Sequence, residues 1–460
     1  MKQFFLVVSL ALVWTALSAL PAPAAADSSI VWHPGLQRMD GALEGMTLTQ
    51  ALGKLSAATG WRVYLETNTG TEVSAKFKNV TAGEALKLML GDLSFAIVPQ
   101  TNNPTKLFVY RTAAKSATNL VAAVKPPGPK KGGVVTNEVV IQLKPGQDKA
   151  AAQRLADALH GKITGELGSL NAYRLEFADE AAAQSARQAL QSATDVAAAT
   201  SNYYLDQPPD TIPVDASGSP FNLKAQNPPD SGKIVVGLVD MPVQNLSPAM
   251  QQFLLPSVSV AGPDADINDQ TTPTHGTSMA EMLLQQMGVS GTATSARILP
   301  VDVYGANTST TSFDVAEGIA AAVNQGANVI NLSLGGDNDS PILHAEIQQA
   351  HSQGVEFFAA AGNTPVTTPT YPAAYSEVVS VTAVQPDGSP ASYANRGSFV
   401  EVGAPGNGLV NYDSYAWMVT GTSTSTALMT GAFAAAAAAN PGMSFSSLQT
   451  KLTTQFAFKP

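Results

Sequence analysis

The sequence predicts two small α+β domains followed by a larger α/β domain, in which a parallel sheet has helices on both faces. Three observations predict this. Between residues 233 and 460, short apolar runs alternate with helical stretches, which is typical of a parallel sheet. Two earlier blocks, 27–112 and 138–205, each mix strand and helix patterns over a short length. Linkers that contain proline and glycine, at 113–137 and 206–232, separate the three blocks.

Composition and charge narrow the classes of function. The 460 residues are 45% hydrophobic and 13% charged, which is globular composition with enough apolar material for several cores. The formal net charge is −10, and residues 233–460 hold 5 lysines and arginines against 16 aspartates and glutamates. Such an acidic domain argues against a nucleic-acid partner, because phosphates require a basic surface. The chain has no cysteine, which excludes disulfides and thiolate metal sites.

Residues 1–26 have the pattern of a signal peptide. Lys2 supplies the positive charge, Phe4 to Leu20 supply the apolar core, and Ala24 to Ala26 offer a small-residue cleavage site. An uncleaved membrane anchor is the alternative, because the apolar run is of borderline length. No later segment is long and apolar enough to span a membrane, so we expect no membrane span after the signal is removed.

The first block, residues 27–112, predicts two helices among short strands. Thr47 with Gln50, and Thr81 with Glu84, have the spacing of a capping box. Strand patterns and a closing hairpin follow, and the order of elements in MTLTQALGKLSAATGWRVYLE and VSAKFKNVTAGEALKLMLGDLSFAIV resembles the short N-terminal domain of secretins and TonB-dependent receptors. The resemblance implies an interaction module with a protein partner, and a secreted or periplasmic protein of a Gram-negative bacterium.

The second block, residues 138–205, predicts a β-α-β-α-β order that is typical of a ferredoxin-like split domain. Strands are expected at Val139–Ile141, at Ala172–Phe177 and from Val196, with helices at Ala150–Leu159 and Asp179–Leu190. The linker that follows, 206–232, contains six prolines and is exposed in pattern, so we expect proteolytic maturation there.

Four residues of the third block, 233–460, carry the groups that an activated serine requires. Asp240 ends the apolar strand IVVGLVD, His275 begins a helical segment in THGTSMAEMLLQQM, and Ser423 opens an apolar helix in TGTSTSTALMTG. A serine nucleophile needs a base, and the base needs an orienting carboxylate. Asn363 follows the run FFAAAGN, and its amide could donate to an oxyanion.

The joint order of these residues is more specific than any one of them. Each alone reads as an ordinary turn, cap or structural histidine, and Ser425 and Thr426 are rival hydroxyls. The order Asp, His, Asn, Ser, with the words VVGLVD, HGTSMA, VINLSLGG, AAAGN and GTS, resembles the subtilase family of serine peptidases. The resemblance covers about 220 residues and implies a subtilisin-like fold.

The resemblance implies an endopeptidase that hydrolyses protein or peptide substrates and requires no cofactor for its chemistry. Asp240 would orient His275, and His275 would take the proton of Ser423 and pass it to the leaving amine. Ser423 would form the acyl-enzyme, while its backbone N–H and the Asn363 side chain would hold the oxyanion. The residues expected to bind substrate are Ser333, Leu334, Gly335, Gly336, Ala360, Ala361 and Gly362.

Residues 138–205 resemble the inhibitory propeptide of subtilases, which implies a zymogen. A structural module that is never removed is the alternative. A structural calcium ion is a further expectation, because subtilases often bind calcium and Asp264, Asp266 and Asp269 cluster in a loop pattern. The alternative is a solvated acidic turn.

Supporting residues depart from the family pattern around all three members of the triad. Met241-Pro242 follows Asp240, Glu281 lies one and a half helical turns after His275, and Ala427 stands where the family usually has proline after the serine. Small misplacements of catalytic groups cost large factors in rate. A second hypothesis therefore stays open, in which the fold is catalytically weak and serves as a periplasmic binding or signalling module.

Overall fold

The computed structural model describes residues 29–33, 38–66, 72–99, 105–121, 133–205, 212–214, 222–227, 233–261, 267, 272–289, 291, 293–305, 307, 309–413 and 415–459. The predicted signal peptide and the three candidate calcium ligands, Asp264, Asp266 and Asp269, lie outside the described residues. The chain forms two compact units, 1–126 and 127–460. No helix among the described residues has the length and apolar character needed to cross a membrane.

The first unit is a small α+β domain with two sheets around one core. Its elements are β1 (Ser29–His33), β2 (Arg38–Thr47), α1 (Leu48–Thr59), β3 (Arg62–Leu65), β4 (Glu72–Thr81), α2 (Ala82–Leu90), β5 (Ser94–Val98), β6 (Lys106–Tyr110) and β7 (Asn119–Val121). The sheets have the orders β1-β2-β4 and β5-β6-β3-β7. Apolar residues of both helices and of the inner strand faces form the core.

Both predicted capping boxes of the first unit are present. The hydroxyl of Thr47 accepts from the backbone N–H of Gln50, whose side chain accepts from the backbone of Thr47, and Thr81 pairs with Glu84 in the same way. The predicted linker at 113–137 starts too early, because β7 pairs antiparallel with β3. A three-residue strand has too short a pattern to stand out in a polar sequence.

The second unit begins with a ferredoxin-like domain, called the N-domain below and comprising residues 138–205. Its elements are β8 (Glu138–Leu143), α3 (Lys149–Ala158), β9 (Lys162–Leu167), β10 (Ala172–Glu176), α4 (Glu180–Gln191), β11 (Val196–Thr200) and β12 (Tyr204–Leu205). The antiparallel sheet has the order β11-β8-β10-β9, with both helices on one face. Strand β9 is absent from the predicted order, because its sequence KITGEL carries a glycine and no clean alternation.

The linker 206–232 contains two short strands among its described residues, β13 (Ile212–Val214) and β14 (Lys224–Ala225). The predicted linker therefore contains strand structure at these positions. Both strands pair with distant parts of the chain, described below, so no local pattern marks them.

The catalytic-type domain, residues 233–459, is built on a seven-stranded sheet with the order β16-β18-β15-β20-β21-β22-β23, in which every neighbouring pair is parallel. Its elements are β15 (Val235–Asp240), α5 (Pro248–Gln251), β16 (Val258–Ser259), α6 (His275–Val289), β17 (Ala293–Thr294), β18 (Arg297–Asp302), β19 (Thr310–Thr311), α7 (Ser312–Asn324), β20 (Val329–Leu332), α8 (Pro341–Ser352), β21 (Glu356–Ala360), β22 (Val378–Val384), β23 (Val402–Pro405), β24 (Asn407–Tyr412), β25 (Tyr415–Thr420), α9 (Thr422–Ala439) and α10 (Phe445–Gln455).

Helices cover both faces of this sheet, so the predicted fold class is confirmed. On one face α6, α9 and α10 contribute to a core with β15 and β22, and on the other face α7 and α8 contribute to a second core. The free face of the N-domain sheet joins that second core through Val140, Leu167 and Ala172, so the N-domain packs on α7 and α8. The carboxyl ends of β15 and β20 meet at one edge of the sheet, where ligand sites of parallel sheets are formed.

Candidate active site

Asp240 and His275 form a buried pair at the carboxyl edge of the sheet. Asp240 is the last residue of β15 and has no exposed surface, while His275 is the first residue of α6 and is 8% exposed. The Asp240 Oδ1 atom lies 2.7 Å from His275 Nδ1 and also accepts from the N–H of Met241 at 2.7 Å. This contact holds the imidazole by one nitrogen and leaves Nε2 to face a reacting group.

The start of α6 lies directly on the loop that follows Asp240. A Cβ atom on Gly276 would be 2.0 Å from the backbone oxygen of Met241, so only glycine allows this approach. The hydroxyl of Thr274 donates to the carbonyl of Pro242 at 2.6 Å. The unusual Met241-Pro242 pair therefore supplies two backbone oxygens that fix the carboxylate loop to the histidine helix.

A buried polar network, formed by Gln244, Thr274 and Thr277, reinforces this junction. The Gln244 Oε1 atom accepts from the N–H of Thr274 at 2.8 Å and from the hydroxyl of Thr277 at 2.9 Å, while the N–H of Gln244 donates to Thr277 Oγ1 at 2.8 Å. Sequence analysis did not identify Gln244. The only available signal was a glutamine in an otherwise apolar segment, and its partners lie about thirty residues away.

Ser423 lies in the first turn of α9, which follows β25 after Gly421. Its side chain is 4% exposed, and its Oγ donates to the carbonyl of Ser333 at 3.3 Å. Among the described residues, His275 Nε2 has no hydrogen-bond partner. In this state the serine hydroxyl therefore bonds to the residue that follows β20 and not to the imidazole.

A second buried network, formed by Asn331, Ser333 and Thr430, positions Ser423. The Thr430 hydroxyl donates to Asn331 Oδ1 at 2.9 Å, and the Asn331 amide donates to Ser333 Oγ at 2.9 Å. Ser333 Oγ in turn donates to the backbone oxygen of Ser423 at 3.3 Å. This chain of contacts fixes the turn of α9 that carries Ser423 relative to β20.

The rival hydroxyls are engaged elsewhere. Ser425 Oγ lies 3.0 Å from the carbonyl of Ala404 and 3.1 Å from that of Pro405, so it points toward β23. The hydroxyl of Thr426 donates to the backbone oxygen of Thr422 at 2.8 Å, within its own helix. Both rival hydroxyls therefore bond to other groups than the Ser333 carbonyl that Ser423 contacts.

Asn363 is held by the residue that precedes the serine. Its Oδ1 accepts from the N–H of Thr422 at 2.9 Å and from the hydroxyl of Thr422 at 3.1 Å. The same hydroxyl accepts from the N–H of Gly362 at 3.1 Å. Because Oδ1 is anchored, the Nδ2 group of Asn363 is the part of the amide that is directed away from Thr422 and can donate.

The seven predicted substrate-binding residues lie in two segments that follow β20 and end β21. Gly336 exchanges backbone hydrogen bonds with Tyr371 at 2.8 Å in both directions, so its backbone is already paired.

The second of these segments, Ala360 to Gly362, is largely buried. Ala360 is 6% exposed and Ala361 has no exposed surface. The carbonyl of Ala361 accepts from Thr370 Oγ1 at 2.6 Å and from the Asn395 amide at 2.7 Å. Ala361 therefore supports the wall of the cleft in this state and presents no surface to a substrate.

Glu281 is directed away from His275. Its Oε1 accepts from the N–H and the side-chain amide of Asn411 at 2.8 and 3.2 Å, and from the Gln285 amide at 3.0 Å. Burial raises the pKa of Glu281 above its ordinary value, although these hydrogen bonds oppose the shift. The side chain ties α6 to β24.

No group of three or more histidine, cysteine or acidic side chains with a metal-binding arrangement occurs within the part of the chain that the structure describes. The arrangement at the cleft instead matches nucleophilic catalysis, with a carboxylate, an imidazole, a serine at a helix N-terminus and an amide donor.

Comparison with known proteins identifies the domain that carries these residues. Residues 231–457 match the sequence profile of the subtilase family. Residues 122–202 match the profile of the fervidolysin N-terminal prodomain, and this match covers most of the N-domain.

The catalytic-type domain, called the subtilase domain below, has named proteases among its relatives. Thermitase of Thermoactinomyces vulgaris is 36% identical over 187 residues, which cover 39% of this chain and 64% of thermitase. Subtilisin Savinase of Lederbergia lenta is 36% identical over 179 residues, which cover 37% of this chain and 65% of Savinase. The chain thus spans just under two thirds of the length of these relatives.

Solved structures show the same fold at low sequence identity. Fervidolysin of Fervidobacterium pennivorans has a TM-score of 0.54 and 19% identity, over 69% of this chain and 56% of fervidolysin. The epidermin leader peptide processing serine protease of Staphylococcus aureus has a TM-score of 0.52 and 14% identity, over 68% of this chain and 92% of that protein. At these identities the likeness concerns the fold alone.

Proposed function

We propose that this protein is a secreted or periplasmic serine endopeptidase of a Gram-negative bacterium. The observation that carries the proposal is the buried contact of 2.7 Å between Asp240 Oδ1 and His275 Nδ1 at the start of α6, a helix that packs against α9, where Ser423 lies. The match of residues 231–457 to the subtilase profile and the protease relatives support it. The signal-peptide pattern of residues 1–26 and the resemblance of residues 27–112 to the secretin and TonB N-terminal domain are the basis for the location and for a protein partner.

The proposed reaction uses only side chains and backbone groups of this chain. Ser423 Oγ gives its proton to His275 Nε2 as it attacks the peptide carbonyl, and Asp240 stabilises the imidazolium that forms. The N–H of Ser423 and the Nδ2 group of Asn363 donate to the oxyanion. His275 then protonates the leaving amine, and water releases the acyl group by the same steps in reverse order.

A serine-directed fluorophosphonate probe tests the activity. The secreted protein should be labelled, whereas a Ser423→Ala variant should not, because the probe requires an activated serine. A Ser425→Ala variant is the matched control and should keep the label, since Ser425 bonds to β23 carbonyls. Labelling no stronger than that of Ser423→Ala would contradict the proposal and favour the alternative of a binding or signalling module.

We further propose that the N-domain is an inhibitory propeptide that is separated by cleavage between Asn202 and Lys233. Its contacts with the subtilase domain include specific polar ones beside the apolar packing of its sheet. Asn202 Oδ1 accepts from the hydroxyl of Ser312 at 2.9 Å and from the N–H of Phe313 at 3.0 Å, which caps the start of α7. N-terminal sequencing of the active protein should find a start between these two residues, and active material that starts at Asp27 would contradict the proposal.

A further inference from the structure

A short strand of the linker pairs with the strand that leads to the nucleophile. Strand β13, Ile212 to Val214, lies antiparallel to Ala416–Met418 of β25, with Ile212 opposite Met418. The other edge of β25 pairs with β24, so β13 occupies its outer edge. Without β13, β25 would present an open strand edge, and an open edge is a template for pairing with an extended chain.

A second pairing lies on the opposite side of the cleft. Strand β12 pairs antiparallel with β19, which follows β18, and β18 is the neighbour of β15 in the sheet. The hairpin β24–β25 follows β23 at the far end of the sheet. The six residues between Leu205 and Ile212 span at most about 25 Å. The chain is therefore held by strand pairing both before and after this six-residue segment.

We infer that the outer edge of β25, residues Ala416–Met418, is a docking edge for the leaving side of an extended peptide substrate, and that Ile212–Val214 occupies it in the unprocessed chain. The leaving side means the residues after the bond that is cut. The inference rests on the proposed endopeptidase function, because it assigns a direction relative to Ser423. Main-chain hydrogen bonds along a strand edge give affinity with little demand on side chains.

The position of this edge assigns it to distant residues of the substrate. Met418 lies three strand residues before Gly421, or roughly 10 Å, and Ser423 follows at the start of α9. A peptide residue opposite Met418 would therefore lie about three residues after the bond that is cut, and those opposite Trp417 and Ala416 would follow it.

The face beside the edge favours apolar substrate residues. Met418 lies directly opposite Leu409 in the hairpin, and their side chains are 36% and 39% exposed. Residues directly opposite each other in antiparallel strands present their side chains on one face, so a substrate residue opposite Met418 would join this apolar pair. The chain's own segment has the sequence Ile-Pro-Val, and proline is tolerated in an edge strand.

The docking edge is connected to the helix that carries the proposed catalytic base, His275. Glu281 of α6 accepts two hydrogen bonds from Asn411 of β24, and His275 begins the same helix. Strand β24 pairs with β25 along six residues. The unusual Glu281 of the histidine motif thus fixes the hairpin relative to the triad.

Peptide binding to the uncleavable full chain tests this inference. In a Ser423→Ala background, the edge is vacated by Ile212→Gly, Pro213→Ser and Val214→Gly. The probes are two fluorescent peptides, Ala-Ala-Pro-Leu-Ala-Ala and the same peptide extended by Ile-Pro-Val-Gly. We expect the long peptide to bind the vacated chain about tenfold more tightly than the short one. In the unvacated Ser423→Ala chain this advantage should be absent, because β13 competes for the edge.

A matched control alters the other short strand of the linker. Lys224→Gly with Ala225→Gly weakens β14, which pairs with β17, and should leave the long and short peptides equivalent, as in the unvacated chain. N-methylation of the Ile and Val nitrogens of the long peptide should abolish its advantage for the vacated chain, because it removes the donors that pair with β25. Equal binding of the long and short peptides to the vacated chain, or an advantage that survives N-methylation, would overturn the inference.

The outcome of the peptide-binding test can be distinguished from the outcome of the test of the proposed activity. Fluorophosphonate labelling of the chain with an intact Ser423 reports the nucleophile alone. Labelling without a length effect in the vacated chain would leave the endopeptidase proposal intact and overturn the docking edge. A length effect without labelling would support the edge as a peptide-binding surface and contradict the activity. Because β25 stays paired with β24, melting temperatures of the vacated and control chains should agree, which checks that both are folded.

Discussion

Polar groups of the proposed catalytic cleft have their hydrogen-bond partners within the same domain. Polar groups of the helical face, which is formed by α7 and α8, have partners in the N-domain. In the cleft, Gln244 and Thr277 hydrogen-bond to each other within the subtilase domain, and Gly276 lies against the backbone of Met241 in the same domain. On the helical face, the partners come from the N-domain. Glu346 accepts from Ser169 at 2.6 Å, and Asp314 pairs with Arg174 at 2.6 Å.

This difference distinguishes a permanent site from a separable interface. If the N-domain leaves as proposed, the contacts of the cleft should persist, because both partners of each hydrogen bond belong to one domain. The carboxylates of the helical face lose their partners but gain water, which solvates a charge well. Groups that are already fixed in the cleft favour catalysis. Contacts that water can replace on the helical face favour release of the N-domain. The following changes test this contrast, from the largest expected effect to the smallest.

Asn363→Asp should lower kcat by roughly 10³-fold with little change in KM. The aspartate keeps an oxygen for the N–H of Thr422, but it replaces the amide donor by a negative charge beside the oxyanion. Hydrolysis of a chromogenic peptide by the processed protein measures both constants. Asn440→Asp adds the same charge at the exposed end of α9 and should leave both unchanged. A loss confined to KM would contradict a role in the transition state.

Gly276→Ala should lower kcat/KM by roughly 10²-fold. The added methyl group would lie 2.0 Å from the Met241 oxygen and must push the histidine helix away from the Asp240 loop. Gly288→Ala, in the same helix, is the matched control, because its nearest contact would be an ordinary 3.8 Å to Leu223. If both variants keep full activity, the junction is not rigid and the contrast with the helical face is lost.

Arg174→Met should weaken docking of the N-domain at least about tenfold without changing kcat of the processed enzyme. The ion pair with Asp314 is largely buried, with side-chain exposures of 16% and 14%, and its loss leaves Asp314 uncompensated. Hydrogen exchange of the β12–β19 pairing in full-length Ser423→Ala chain measures the opening. Lys149→Met removes an exposed ion pair with Glu166 inside the N-domain and should have no effect. Equal protection in both variants would be the contrary result.

Glu317→Gln should strengthen docking about tenfold at pH 8 and much less at pH 5, where the separated carboxyl is still partly protonated. Burial and the charge of Asp314 raise the pKa of Glu317 to about 7, Glu166 adds to this shift, and Arg174 opposes it. The docked state therefore binds a proton that the separated, solvated carboxyl releases. Docking is strongest below the ordinary glutamate pKa and weakens as pH rises to about 7.

The same hydrogen-exchange measurement checks the glutamine variant against the unaltered chain at each pH, so that the intrinsic effect of pH on exchange cancels. A difference of equal size at pH 5 and pH 8 would contradict the titration of Glu317. Lys149→Met is again the control, since its exposed pair should add no dependence on pH between these values.

The elements with local signals were predicted best. The capping boxes at Thr47 and Thr81, the helix predicted at Asp179–Leu190 and the strand that ends at Asp240 are present, because caps and periodicity depend on residues a few positions apart. Strand β9 was missed for a tertiary reason. A Cβ on its Gly165 would lie 2.6 Å from the ring of Phe313, so the glycine that weakens the strand pattern is the residue that allows the N-domain to dock.

The sequence by itself determined the fold class, because short apolar segments alternate with helical stretches. It also determined the residue types and the order of the candidate triad, because short motifs surround Asp240, His275 and Ser423. Only the tertiary structure decided which atoms meet. It turned Ser425 toward β23, directed Glu281 to the β24 hairpin, and placed Ile212–Val214 on β25. Those partners lie 20 to 200 residues apart along the chain, and no local propensity specifies a contact over such separations.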